Sequence, residues 1–211
     1  MNNIIDSLKW RYAVQVFDSQ KKLSQAQLDT LLEAARLAPS SFGIQPWKFI
    51  VVTNPAIRAE LRKAAWDQPK VTDASHLVVF AVRKNVDAAL VDKYIASTAQ
   101  IRGLKVEALK GYEDMIKGSI AGRTSEQAKE WGTRQLYIAF GTLLTAAAVE
   151  GIDAGPMEGF DPKKFDEILG LEALGLESRI AVAVGFRSPD DKAAQYPKSR
   201  FSKEEVVVEV K

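Results

Sequence analysis

No charge falls between Arg134 and Glu150, and within that stretch Leu136, Ala139, Phe140, Leu143, Leu144, Ala147 and Ala148 recur at helical spacing. Ile138, Ala146 and Val149 fill the other sides, so the pattern predicts a helix buried nearly all round. The uncharged run is about 15 residues, short of the roughly 20 that cross a bilayer, which makes it a core or subunit-interface helix. Thr124 with Gln127 supplies a capping box ahead of it. The helix empties into Gly155-Pro156-Met157-Glu158-Gly159-Phe160, a loop held by rigid structure and therefore a place to expect a ligand.

Other segments alternate between helical and extended patterns. Ser24 and Gln27 form a second capping box, Leu23 and Leu28 a hydrophobic staple, and Leu31, Leu32 and Ala35 follow, predicting a helix from about Ser24 to Leu37 that stops before Pro39. Residues 40–46 read as loop, Trp47 to Thr53 as a buried strand, and Asn54 with Pro55 as the start of a helix reaching about Trp66. A polar connection over 67–72 leads to a strand at 77–82. Residues 86–117 are mostly helical in pattern, with Val91, Tyr94, Ile95, Leu104, Ala108 and Tyr112 apolar, and 119–123 read as loop. Asp161 and Pro162 open a short helix that Gly170 ends, and 179–185 is a continuous apolar strand, as expected at the centre of a covered sheet. After an irregular stretch, Val206 to Val210 reads as a strand without a following partner. Such an edge invites association, and pairing with a second subunit removes it. No repeat, low-complexity tract or linker interrupts residues 1–211, so a single α+β domain is expected.

Composition narrows the chemistry. The 211 residues are 46% apolar, enough for a sizeable core, and 29 basic residues nearly balance 27 acidic ones. The charges are mixed along the chain, which argues against nucleic acid or an anionic membrane as partner. The stretch Met1 to Asp6 lacks a basic flank followed by an apolar run of roughly 7 to 15 residues, so no secretory signal is read and a cytoplasmic protein is expected. The absence of cysteine removes disulfides, thiolate catalysis and iron–sulfur clusters. The only histidine, His76, sits ahead of a strand and reads as structural, leaving nothing from which to build a Ser-His-Asp hydrolase or a histidine-rich metal site. Whatever chemistry occurs here belongs to a bound cofactor.

Two basic clusters, Lys9 with Arg11 and Lys198 with Arg200, lie next to short irregular segments, and arginine forks and lysine point charges are common phosphate holders. They fall in register with three further segments. In order these are Lys9 to Asp18, Pro39 to Trp47, Asp73-Ala74-Ser75-His76, Pro156 to Phe160 and Lys198-Ser199-Arg200. In that order and spacing the chain resembles the FMN-dependent nitroreductase family over essentially its whole length, in particular the oxygen-insensitive NAD(P)H nitroreductase and flavin reductase branch.

The resemblance implies a central, mostly antiparallel sheet flanked by helices, and an intertwined homodimer with the C-terminal strand exchanged between subunits and two FMN sites at the interface. It implies that Arg11, Lys198 and Arg200 clasp the FMN phosphate, and that Tyr12 and Ala13 line the phosphate and ribityl chain. Pro39, Ser40, Ser41 and Gly43 match the loop that reaches the cofactor from the other subunit. Pro156, Met157, Glu158 and Gly159 match the loop beneath the isoalloxazine, with the backbone N–H of Glu158 facing flavin N5. Lys70 matches the lysine near the pyrimidine edge and the substrate, and Phe42 and Tyr112 fall near the substrate pocket. The implied reaction is ping-pong, a hydride passing from NADH or NADPH to FMN and two electrons then going to a nitroaromatic, quinone or free flavin. No catalytic side chain and no metal are called for.

Departures from the family pattern carry information of their own. Ala13 stands where a Ser or Thr is common, Gln15 where a basic residue is, Asp67 near an Asn position, and Gly43 where Asn is common. Gln15 and Asp67 make the flavin's polar edge less positive, which disfavours an anionic reduced flavin and implies a lower midpoint potential, with Lys70 in partial compensation.

Overall fold

The computed structural model describes residues 3–211. Met1 and Asn2, part of the N-terminal reading above, lie outside the described residues.

Helix α1 (Ile4–Trp10) starts where the Asn3 side chain accepts the Ile5 N–H, an element the apolar pattern did not announce. Helix α2 (Gln25–Arg36) carries the expected reciprocal Ser24/Gln27 capping box. Strand β1 (Trp47–Val52) precedes α3 (Pro55–Ala64), whose N-cap Asn54 and first-turn Pro55 act as predicted. The polar connection contains a short helix, α4 (Lys70–Asp73), before β2 (His76–Arg83). The middle section resolves into α5 (Ala88–Arg102) and α6 (Lys110–Ala121), so 119–121 belong to a helix rather than to loop. Leu104 and Ala108, expected inside, are exposed at the tip between these helices.

Helix α7 (Ser125–Val149) opens on the Thr124/Gln127 box. Strand β3 (Asp153–Met157) takes in the first half of what was expected to be loop. Then come α8 (Pro162–Leu169), stopped by Gly170 at φ +62°, β4 (Leu176–Gly185), and a last short helix, α9 (Lys203–Val206). No helix among the described residues is long and apolar enough to cross a membrane.

The four strands form one antiparallel sheet in the order β1-β2-β4-β3. Strands β2 and β4 are central and apolar on both faces because helices cover both faces. On one side Val78, Phe80, Ile180, Val182 and Val184 pack with Leu31 and Ala35 of α2 and Leu136, Ala139, Phe140 and Leu143 of α7. The rings of Phe80 and Phe140 meet edge-on at 5.1 Å. On the other side Leu77, Val79 and Ala181 meet Leu61 and Ala64 of α3 and Phe165 of α8. Strand β1, predicted buried, is an edge strand only partly covered.

Two further expectations fail within the chain. Helix α7 is not buried all round: Tyr137, Ile138 and Gly141 are exposed on the side away from the sheet. The apolar pattern identified the helix but could not say which neighbours cover each side. Residues Val207 to Lys211 form no strand, and Val208 and Val210 are 85% and 92% exposed. A run of valines satisfies strand propensity, but a strand also needs a partner edge, and none lies beside it in the described chain.

Candidate functional site

The start and the end of the chain meet along β3. Residues 11–16 leave α1 extended, and the Val14 N–H donates to Ala154 O at 3.1 Å. This approach is why position 155 is glycine, since a Cβ there would stand 2.6 Å from Val14 O. Asp191, only 2% exposed, ties the segment to the C-terminal limb. Its carboxylate accepts from the N–H groups of Gln15 (2.9 Å), Val16 (3.2 Å) and Ala193 (3.1 Å) and from the Tyr12 hydroxyl (3.1 Å). Burial opposes the Asp191 charge, but these donors outweigh it and hold the pKa below the usual carboxylate range. Burial, with Asp191 adding to it against the pull of Arg187, pushes the Tyr12 phenol up to about 12.

A second tie runs beneath the first. The Arg187 Nε donates to Asp153 Oδ1 at 2.8 Å, its backbone N–H to Asp153 Oδ2 at 2.7 Å, and its guanidinium lies 4.2 Å from the Trp10 ring centroid and 4.5 Å from that of Tyr12. With both limbs fixed, Arg11, Lys198 and Arg200 line one cavity of about 580 Å³ between residues 9–13 and 193–200. The Lys198 ammonium donates to the Arg11 carbonyl. Among the described residues none of the three cations has an ion-pair partner, and the Arg11 Nε is buried with no hydrogen-bond acceptor. Desolvation and then the charge of Arg200 lower the Arg11 pKa, and desolvation, Arg11 and Arg200 lower that of Lys198. Three mutually repelling cations around an orphaned donor fit a phosphate dianion, whose oxygens accept from each.

Lys70, 5% exposed on α4, points toward the same limb, its Nζ 3.3 Å from Gln15 Oε1, while Gln15 Nε2 donates to Ala13 O at 2.8 Å. Burial lowers the Lys70 pKa and the charge of Asp191 opposes the shift. Helix α4 is held by buried Arg58, which donates to the carbonyls of Val71 (2.8 Å), Ala74 (2.7 Å) and Ser75 (3.0 Å). At the end of β3 Met157 is core, and just beyond it Gln68 Nε2 donates to Gly159 O at 2.6 Å. Trp66 and Asp67 stand at φ +52° and +57°, a left-handed pair that leaves the exposed Trp66 ring against Gly159. Asp67 itself is exposed and, among the described residues, bonds only through its backbone, to Arg62, with no bond to Gln15. The N–H groups of Glu158 and Gly159 have no acceptor among the described residues.

The remaining candidates form a separate group. Ser41 N–H donates to Gln135 Oε1 at 2.8 Å, Gly43 N–H to Ser40 O at 2.8 Å, and Gly43 adopts φ +77°. The Tyr112 hydroxyl donates to Phe42 O at 2.9 Å, and its ring meets that of Tyr94 at 6.5 Å. Among the described residues no hydrogen bond or ion pair joins Pro39–Gly43 to the group around Arg11, and none joins Lys70 to Phe42 or Tyr112. His76 is structural, its Nδ1 3.0 Å from Ser75 Oγ. Asp191, Asp153, Arg187, Arg58 and Tyr137 were not singled out by sequence. Of these only Asp191 left a local trace, as a turn-capping aspartate ahead of Ala193.

A model described as the nitroreductase family matches residues 8–186. A Staphylococcus aureus protein provisionally named NAD(P)H nitroreductase is 36% identical over 197 residues, 89% of this chain and 87% of its own. The chain belongs to the nitroreductase family. Its fold is that of a nitroreductase from Exiguobacterium sibiricum solved in complex with FMN, at TM-score 0.84 and 21% identity over 100% of this chain and 98% of that one. It is equally that of an enone reductase of gut-bacterial fatty acid saturation, at TM-score 0.82 and 23% identity over 100% and 99% of the two chains.

Proposed function

We propose that the protein is an FMN-dependent oxidoreductase that takes two electrons from NADH or NADPH and delivers them to small electron-poor acceptors such as nitroaromatics, quinones or free flavins. One observation carries the reading: Arg11, Lys198 and Arg200, from opposite ends of the chain, gather at one cavity, and among the described residues no carboxylate pairs with any of them. The name of the Staphylococcus relative and the FMN complex of the Exiguobacterium structure support the choice of cofactor and cosubstrate.

The residues present suit that group. The three cations would hold its phosphate, Tyr12 and Ala13 would flank the chain that follows, and the unpaired N–H groups of Glu158 and Gly159 would serve the ring beside buried Lys70. When bound, the flavin supplies the two-electron chemistry, and the protein's part is to orient the reactants and exclude water. The reading includes one FMN-binding unit over residues 1–211 and a homodimer. A second subunit would cover the exposed side of α7, engage the Val206–Val210 segment, and bring Pro39, Ser40, Ser41 and Gly43 with Phe42 and Tyr112 to the other protomer's Arg11 group. The intracellular setting follows the same reading.

The test is anaerobic stopped-flow of FMN-loaded protein with NADH and with NADPH, followed by a panel of acceptors. Bleaching of the flavin and reoxidation by nitroaromatics or quinones are expected. Colourless protein that binds no added FMN would overturn the reading. The structural likeness to an enone reductase favours one other acceptor class, α,β-unsaturated carbonyls, and a pteridine would belong in the same panel. FMN-bound protein that neither nucleotide reduces would instead be a flavin carrier.

A further inference from the structure

Tyr137 is a residue that neither the motifs nor the phosphate clasp explains. It stands in the middle of α7, on the side turned away from the sheet core, and it is 38% exposed. Its ring is braced by Phe140 at 6.2 Å, and its hydroxyl donates to Glu158 Oε1 at 2.6 Å. Glu158 follows directly on β3, where ladder pairing has ended and a backbone would otherwise fray. Gln68 fixes the next residue through the Gly159 carbonyl, and the Phe160 N–H closes the turn on Glu158 O at 2.9 Å. The turn is thus held at its side chain and at two carbonyls, while the N–H groups of Glu158 and Gly159 have no acceptor among the described residues.

We propose that Tyr137 is a positioning residue for flavin reduction: by holding the Glu158 carboxylate from α7, it fixes the peptide N–H that faces the reactive edge of the flavin. This rests on the FMN-dependent reading above. A hydrogen bond to a carboxylate is among the stronger kinds, and it spans two elements that the sheet does not join at this point. Burial, and then the bond to Glu158, raise the phenol pKa, so the hydroxyl remains a donor through the pH range in which the protein is handled. Tyr137 touches neither cofactor nor substrate in this role. Its effect runs through Glu158.

The experiment is a double-mutant cycle on FMN-loaded protein with Tyr137→Phe, Glu158→Ala and the double variant, each read for flavin reduction rate by NADH and NADPH, flavin midpoint potential and FMN affinity. Tyr137→Phe should slow flavin reduction about tenfold, the scale of one hydrogen bond to a charged group, and shift the potential while FMN affinity changes little. In the Glu158→Ala background the same change should have no further effect, and Glu158→Gln, which keeps an acceptor oxygen for the phenol, should retain more of the rate than Glu158→Ala. A Tyr137→Phe variant with unchanged rate and potential would overturn the proposal. So would a double variant whose loss is the product of the two single losses, or one that differs only in thermal stability. Wild-type protein that takes up no FMN, or is not reduced, would instead defeat the underlying reading.

Discussion

The Lys198 ammonium donates to the backbone carbonyl of Arg11 across 187 positions of sequence, closing the chain's two ends on each other. The contact leaves both charges, with Arg200, facing one cavity. Among the described residues the exposed Arg200 side chain bonds only to the adjacent Ser199 carbonyl, so removing it breaks no contact between distant segments. Arg200→Gln should weaken FMN binding by about 1.5–3 kcal/mol, roughly 10- to 150-fold in Kd. Riboflavin, which lacks the phosphate, should bind the variant and the parent alike. Fluorescence titration with both flavins checks this.

The buried pair Asp153–Arg187 is load on the same junction from below. Asp153 is 5% exposed, and Asp153→Asn leaves the guanidinium between two rings with its charge uncompensated. The expected cost is about 3–5 kcal/mol in urea unfolding. Truncating both partners together should cost less than the sum of the single changes.

A methyl group at position 155 would meet the Val14 carbonyl, which is backbone and cannot rotate aside. Gly155→Ala should therefore push residues 12–16 off β3, lowering stability by about 1–3 kcal/mol and weakening FMN binding with it. A urea midpoint and an FMN titration on the same preparation would check both.

His76 gives a pH dependence whose sign is fixed. Burial first, then the charges of Arg58 and Lys22, lower its pKa from the ordinary 6.5. Between the lowered folded value and 6.5 the unfolded chain binds the proton more readily, so stability is full above 6.5 and is lost as pH falls through the folded value. His76→Gln should flatten that part of the stability profile, measured by urea unfolding from neutral to mildly acidic pH.

Lys70 Nζ lies 3.3 Å from the Gln15 amide oxygen, so a lysine at 15 would place a second cation beside the first. Gln15→Lys should raise the midpoint potential of bound FMN by favouring an anionic reduced form. A redox titration that finds no change removes the case for Gln15 as the source of a low potential. Asp67, exposed, should contribute less than its motif position suggests.

Local rules account for much of what was legible. Capping boxes at Ser24 and Thr124, Asn54 with Pro55, and Asp161 with Pro162 placed four helix starts to within about a residue, because a cap depends on neighbours in sequence. The strands at 77–82 and 179–185 were visible because a sheet covered on both faces needs unbroken apolar runs. Strand β3 escaped notice, since Gly155 and Pro156 read as loop, and only pairing with β4 makes the segment extended structure. Val206 to Val210 failed in the opposite sense, with strand composition and no partner edge.

The sequence by itself determined the four helices that open on capping residues, the two central strands, the cationic residues and the family likeness, because each rests on residue type and short spacing. Only the tertiary structure decided that Arg11, Lys198 and Arg200 share a cavity, that Asp191 and Asp153 anchor the limbs carrying them, and that the Tyr112 hydroxyl ties to the Phe42 carbonyl. Those relationships join residues far apart in sequence, and a buried carboxylate such as Asp191 looks like any surface aspartate until the chain has folded around it.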